Sequence, residues 1–123
     1  MCALPIQFAA RGSGDLPEMP IDPTWILEGL PIARGAVQIQ SADKKVSTGL
    51  WECTAGRFRW TFAWDEFVHI LEGEVSIQQE NGPELTLRPG DTAHFPVGLT
   101  TEWLVPLHVR KVFTVRTVEP LNL

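Results

Sequence analysis

The sequence has no hydrophobic run long enough to cross a membrane and no cluster of basic residues interleaved with aromatic ones. A membrane-spanning helix needs about 20 consecutive apolar residues. The 15 acidic residues outnumber the 10 basic ones, and the net charge of −5 argues against nucleic acid or an anionic membrane as a partner. The first residues also lack the basic stretch of a signal peptide. We therefore expect a cytoplasmic protein.

Cysteine is scarce, and the chain contains only Cys2 and Cys53. Neither residue belongs to a Cys-X-X-Cys motif or to a cysteine–histidine spacing that would hold zinc. A structural disulfide is not expected at Cys2, so both should be free thiols in a reducing compartment. Cys53 is expected to be a small core residue and not a nucleophile, because no histidine base is recognisable near it.

Long helical patterns are missing too. Glycine and proline interrupt residues 1–34, which are therefore predicted to form an irregular N-terminal arm in front of a domain of residues 35–123. One helical turn is predicted at residues 24–29, with Thr24 as its N-cap and Gly29 at its end. The apolar residues of this turn need cover from the domain or from a second subunit.

Short strands dominate from residue 36 onward. Alternation is clearest at residues 57–63, where Phe58, Trp60 and Phe62 share one face. Strands are predicted at residues 36–40, 46–53, 57–63, 66–71, 74–79, 84–88, 92–95, 101–105 and 108–117. Asn81-Gly82 predicts a hairpin, and Gly56 predicts a break between two strands. Many short strands at this spacing indicate an all-β sandwich or barrel.

Several motifs lie in this strand-rich region, at residues 49–53, 65–74, 89–91 and 95–98, followed by Trp103 and by Arg110-Lys111. Through these motifs, residues 36–117 resemble the cupin superfamily of RmlC-like jelly rolls. More narrowly, they are similar to the (S)-ureidoglycine aminohydrolase-type cupin domain family. The resemblance implies an all-β, single-domain cupin jelly-roll barrel with an irregular N-terminal arm and with a ligand cavity inside the barrel.

The resemblance does not extend to the metal ligands of cupins. Metal-binding members use two histidines and a glutamate in one motif and a histidine in a second. Glu66 fits the glutamate, but the histidine positions fall at about Trp60, Phe62 and Thr101. The resemblance therefore implies no metal and no other cofactor, with a divalent transition metal bound through other residues as the alternative.

The barrel positions implied by the resemblance define a candidate ligand-binding pocket. They are Trp60, Phe62, Glu66, Thr101 and Trp103, and His94, whose face the alternation does not fix, is a further candidate. Such an aromatic box with one acid suits a flat or cationic molecule. The alternative is that the aromatic rings only fill the core.

A carboxylate among aromatic rings should have a raised pKa or a hidden cationic partner. Lys111 shares a face with the apolar residues of the last strand. It either extends its amine to solvent or pairs with an inward acid, as Arg110 could also do. Glu66 and Lys111 are therefore the candidate catalytic residues, as an acid–base couple. His69 should lie on the face opposite Glu66 and serve structure or an interface.

The sequence is compatible with three functions. The first is a module that binds a small polar metabolite in the barrel without a metal centre. The second is an enzyme of nitrogen or carbohydrate metabolism, aminohydrolase-like or isomerase-like, with or without a metal. The third is a structural dimer with a filled barrel. We expect a homodimer, because the aromatic arm and the early strand at residues 37–39 need cover.

Overall fold

The computed structural model describes residues 5–10 and 15–123, so Cys2 lies outside the described residues. It contains one 3-10 turn, Pro23–Trp25, and eight strands: β1 (Ile26–Glu28), β2 (Ala33–Gln40), β3 (Val46–Thr61), β4 (Asp65–Gly73), β5 (Val75–Gln79), β6 (Glu84–Leu87), β7 (Thr92–Phe95) and β8 (Thr100–Arg116). The predicted all-β class is confirmed. In the described part of the chain, no helix has the length and apolar character to cross a membrane.

The long strands β3 and β8 pair with each other along their whole lengths and organise the fold. The first half of β3 also pairs with β2 and its second half with β1. In the same way, the first half of β8 pairs with β5 and its second half with β4. β6 pairs with β5, and β7 pairs with β4. Two layers, β2-β3-β8-β4-β7 and β1-β3-β8-β5-β6, thus enclose the interior, as expected for a jelly-roll barrel.

The predicted strand break at Gly56 is wrong, because β3 continues through it. The pairing with β8 shifts between Thr54 and Gly56, so a β-bulge bends the strand while its hydrogen bonds continue. Glycine is required there for packing, since a Cβ at Gly56 would lie 2.7 Å from the ring of Pro31. The bulge also changes which residues face the interior. Trp51 points inward before it and Phe58 points inward after it.

The helical turn predicted at residues 24–29 is also wrong. The 3-10 turn is capped by Asp22, whose side chain accepts a hydrogen bond from the amide of Thr24, and it ends at Trp25. The next residues form β1 because the exposed edge of β3 offers them hydrogen-bond partners. Trp25 packs edge-on against Trp60, with ring centroids 5.2 Å apart. The barrel itself therefore covers this part of the arm.

Most of the remaining strand predictions agree closely with the structure. The hairpin predicted at Asn81-Gly82 joins β5 to β6, with Asn81 in the left-handed region at φ 58°. β8 is an exception, because it runs through Pro106 and Leu107, where the sequence predicted a break between two strands. Side chains of alternate residues of all the larger strands form one hydrophobic core inside the barrel.

Candidate functional site

The barrel interior contains a cavity of about 250 Å³. Its wall is almost entirely apolar, and six of the 13 described residues that line it are aromatic. It is formed by Met19, Val37, Trp51, Phe58, Trp60, Trp64, Glu66, Trp103, Lys111, Phe113, Val115, Leu121 and Leu123. Because a cavity of about 150 Å³ can admit benzene, this one has room for a molecule with one or two rings.

A buried ion pair lies in this apolar wall. Lys111 Nζ donates a hydrogen bond to Glu66 Oε2 at 2.8 Å, and the two side chains are 6% and 10% exposed. The amine of Lys111 therefore does not extend to solvent, which was the first of the two possibilities expected for its face, but pairs with an inward acid, which was the second. Arg110, the other candidate partner, lies on the opposite face and contacts Glu52 at 3.7 Å.

Two indole rings complete the surroundings of the lysine. Its Nζ lies 4.6 Å from the ring centroid of Trp51 and 4.8 Å from that of Trp103. Both distances are within the range of cation–π attraction. The ammonium is thus stabilised by one carboxylate and two aromatic faces, which together replace the water that it loses on burial.

Glu66 has one carboxylate oxygen to spare. Oε2 accepts from Lys111, whereas no described residue donates a hydrogen bond to Oε1. Among the described residues, every side-chain nitrogen or oxygen sealed from solvent has a hydrogen-bond partner. Oε1 is therefore not sealed in the protein and faces the cavity that Glu66 lines.

The sheet register explains why this pair is hard to foresee. Glu66 lies opposite Val115 on β8, whereas Lys111 lies opposite Ile70 on β4, four residues farther along. The two side chains are not cross-strand neighbours. They meet because the flexible lysine side chain extends along the inside of the barrel from one position to the other.

Thr101 has a positioning role and does not line the cavity. Its hydroxyl donates to the carbonyl oxygen of Trp60 and accepts from Nε1 of Trp103, each at 2.9 Å. This chain of hydrogen bonds fixes the orientation of Trp103, one of the two rings beside Lys111. Thr101, which was predicted as a pocket residue, therefore supports a wall residue and is not itself part of the wall.

Two further residues predicted for the pocket lie elsewhere. Phe62 stacks on Phe95 with ring centroids 4.7 Å apart and belongs to the packed core. His94 is on the outer surface, stacked on Phe67 at 4.4 Å, with Nε2 3.6 Å from a carboxylate oxygen of Asp65. His94 lies opposite Phe67 in the pairing of β4 with β7, and the side chain of Phe67 is exposed, so His94 faces away from the cavity. His69 is exposed on the same outer face, as predicted.

Trp51 was missed as a wall residue, although its shared face with Cys53 could have indicated it. Cys53 itself is 2% exposed, as predicted for a core residue. Burial raises the pKa of its thiol to about 12, and the positive charge of Lys111 lowers this pKa by a smaller amount. A thiol that stays protonated at neutral pH is a poor nucleophile, so Cys53 is not part of the candidate chemistry.

The residues of the cavity do not fit a metal ion. A transition-metal site needs three or four nitrogen, sulfur or carboxylate ligands. Within residues 5–10 and 15–123, no three histidine, cysteine or acidic side chains lie close enough to form such a cluster. Glu66 is the one acidic residue in the described wall of the cavity, and the ammonium of Lys111 already lies 2.8 Å from its Oε2.

The chain matches the family model of the EutQ-like cupin domain over residues 40–113. This range is more than half of the sequence, so the chain belongs to the EutQ-like cupin domain family. No curated protein matches it. The narrower similarity to ureidoglycine aminohydrolase-type cupins stays a prediction.

Solved structures support the same fold. A DUF861-family protein of unknown function from Pseudomonas syringae is 27% identical with a TM-score of 0.75, over 84% of this chain and 45% of that one. The present chain thus spans less than half of that protein. A DUF861-family protein from Thermotoga maritima is 36% identical, with a TM-score of 0.50 over 52% and 73% of the two chains. A putative ethanolamine utilization protein EutQ from Salmonella typhimurium shares the fold at 24% identity and a TM-score of 0.63, over 72% of each chain.

Proposed function

We propose that this protein binds a small, flat organic molecule inside the barrel and that the Glu66–Lys111 ion pair takes the place of a metal centre. The cavity of about 250 Å³ with this pair in its aromatic wall is the observation that carries the proposal. Ligand pockets are commonly apolar clefts with a few polar groups that fix orientation. The pair supplies those groups, and the tryptophans supply the stacking surface.

A lysine ammonium can hold a carboxylate in place, as a metal ion does, but it offers no open coordination position. The pair is therefore suited to orienting a ligand more than to activating a water molecule. A filled barrel, the structural alternative, would leave no room for a ligand, and the cavity argues against it.

The proposal can be tested with calorimetry on a panel of one- and two-ring metabolites. The wild-type protein should bind a subset of them, and Glu66→Gln should weaken binding by about tenfold or more, since hydrogen bonds to charged groups contribute about 1.5–3 kcal/mol. Glu72→Gln, which changes an exposed acid of the same strand, is the matched control. Unchanged affinity in Glu66→Gln, with the fold intact, would contradict the proposed site.

An enzyme of nitrogen or carbohydrate metabolism is the second candidate. The short Nζ–Oε2 distance of 2.8 Å favours it, because a carboxylate and an amine in contact can exchange a proton during a reaction. Aminohydrolase-like and isomerase-like reactions both belong to this proposal. Any compound that binds should therefore be followed by mass spectrometry and by ammonia release, with Glu66→Gln as the inactive control. Recovery of the ligand unchanged would contradict the enzyme function and leave only the binding function.

We also propose that the protein acts as a homodimer. Large apolar side chains remain on the described surface, among them Leu30 at 87%, Leu107 at 80% and Phe67 at 49% exposure. A second copy of the chain would cover such residues through an isologous interface. Light scattering at micromolar concentration measures this directly, and a pure monomer would contradict it.

A further inference from the structure

The geometry points to the chemical class of the ligand: we infer that the cavity selects a neutral aromatic molecule that carries one hydrogen-bond donor, such as a ring N–H or a phenolic O–H. This inference rests on the proposed binding function and specifies it. Three features of the wall carry it: the open oxygen of Glu66, the neutrality of the ion pair and the aromatic surface around both.

The requirement for a donor follows from Glu66. Its Oε1 faces the cavity and receives no hydrogen bond from any described residue. A ligand that fills the cavity expels the water that would otherwise solvate this oxygen. A charged acceptor left without a donor in an apolar site is unfavourable. A ligand with an N–H or O–H group directed at Oε1 avoids that cost, and a ligand with an acceptor at the same place increases it.

The preference for a neutral ligand follows from the pairing of the two charges. Glu66 and Lys111 compensate each other at 2.8 Å, so the cavity has no net charge from its lining side chains. An ammonium ligand would approach the carboxylate but would also meet the lysine ammonium. A carboxylate ligand would be repelled by Glu66, and the lysine is already held by Glu66, Trp51 and Trp103. In either case a charge would be buried without a counter-ion of its own.

The aromatic character of the ligand follows from the walls. Trp51, Phe58, Trp60, Trp64 and Trp103 line the cavity and offer ring faces and edges. Flat rings stack on such surfaces or meet them edge-on at favourable geometry. A volume of about 250 Å³ limits the ligand to one or two rings, by comparison with the roughly 150 Å³ that admits benzene.

Four probe compounds test the inference on the unmodified protein by ligand-observed NMR and calorimetry. Indole supplies a ring N–H, and benzofuran has the same two rings with an oxygen acceptor in place of that N–H. Benzylammonium and benzoate supply a positive and a negative charge on one ring. We expect indole to bind, and we expect the affinity of benzofuran to be lower by about tenfold or more. This is the ratio expected for loss of a hydrogen bond to a charged group. Neither charged compound should bind as tightly as indole.

The variant Glu66→Gln separates the donor contact from simple stacking. It should reduce the affinity for indole and leave the affinity for benzofuran unchanged or raised, while Glu72→Gln should change neither. Equal binding of indole and benzofuran to the wild-type protein would overturn the donor requirement and leave the proposed binding function standing. Tighter binding of either charged compound than of indole would overturn the neutral class in the same way. Failure of all four probes and of the metabolite panel would overturn both proposals.

Discussion

Replacing Lys111 with methionine gives the most direct test of how the ion pair contributes to the fold. The substitution keeps most of the side-chain volume but removes the ammonium that lies 2.8 Å from Glu66 Oε2. Two cation–π contacts, at 4.6 and 4.8 Å, are lost with it. The carboxylate, whose side chain is 10% exposed, is left without a partner. Removing one partner of a buried ion pair costs about 3–5 kcal/mol, and we expect Lys111→Met to lose that much free energy of unfolding at pH 7.

Chemical denaturation at pH 7 measures this loss, and a double-mutant cycle identifies its cause. Glu66→Gln in the Lys111→Met background removes the stranded charge, so the double variant should be more stable than Lys111→Met alone. The control is Lys45→Met, because Lys45 is exposed on the surface and its substitution should change stability by less than about 0.5 kcal/mol. Additivity of the two substitutions within about 0.5 kcal/mol would refute the reasoning, since independent sites behave in that way.

Three further predictions concern residues outside the ion pair. Hydrogen bonds from Arg116 and from the amide of Val97 lower the pKa of Asp65. Its stabilising contribution should therefore be present above its unfolded pKa of about 3.9 and be lost as the pH falls through the lower folded value. Thermal unfolding of Asp65→Asn should accordingly depend less on pH between about 2 and 4. Gly49→Ala should destabilise the fold by about 3 kcal/mol or more in denaturant titrations, because its Cβ would lie 2.0 Å from the Ala36 carbonyl oxygen of the paired strand. Cys53 should resist a thiol reagent at pH 8 until the protein unfolds, since its thiol is buried with a pKa of about 12; rapid modification of the folded protein would contradict this.

Much of the fold could be predicted from local patterns. Alternation at residues 57–63, together with turn residues such as Asn81-Gly82, correctly indicated a strand and the hairpin. The breaks expected at Gly56 and near Pro106 were wrong, because both sites are bends within continuous strands. A glycine or proline has the same local preference at a bulge as at a strand end. Only the pairing of β3 with β8 distinguishes a bulge from a strand end at these positions, and that pairing joins residues far apart in the sequence.

The candidate site was predicted in part, and the errors have a common origin. Alternation put Lys111 on an inward face, and the cupin resemblance implied the inward positions of Glu66, Trp60 and Trp103. Neither could place Phe62, which lies on an inward face but stacks on Phe95 away from the cavity. An inward face can point into the packed core or into the cavity, and the position along the barrel axis determines which. That position depends on how distant strands are aligned.

The sequence by itself determined that this chain is an all-β protein, that Glu66 and Lys111 belong to inward faces and that the histidines of metal-binding cupins are missing. The all-β class and the face of Lys111 depend on residue type and on a period of two, which are local properties, whereas the position of Glu66 and the missing histidines follow from the resemblance to cupins. Only the tertiary structure decided that the acid and the lysine meet, that two tryptophans enclose the ammonium and that the second carboxylate oxygen faces a cavity. Glu66 and Lys111 are 45 residues apart in the chain and are not opposite each other in the sheet. Their contact therefore depends on barrel closure and on the reach of one long side chain.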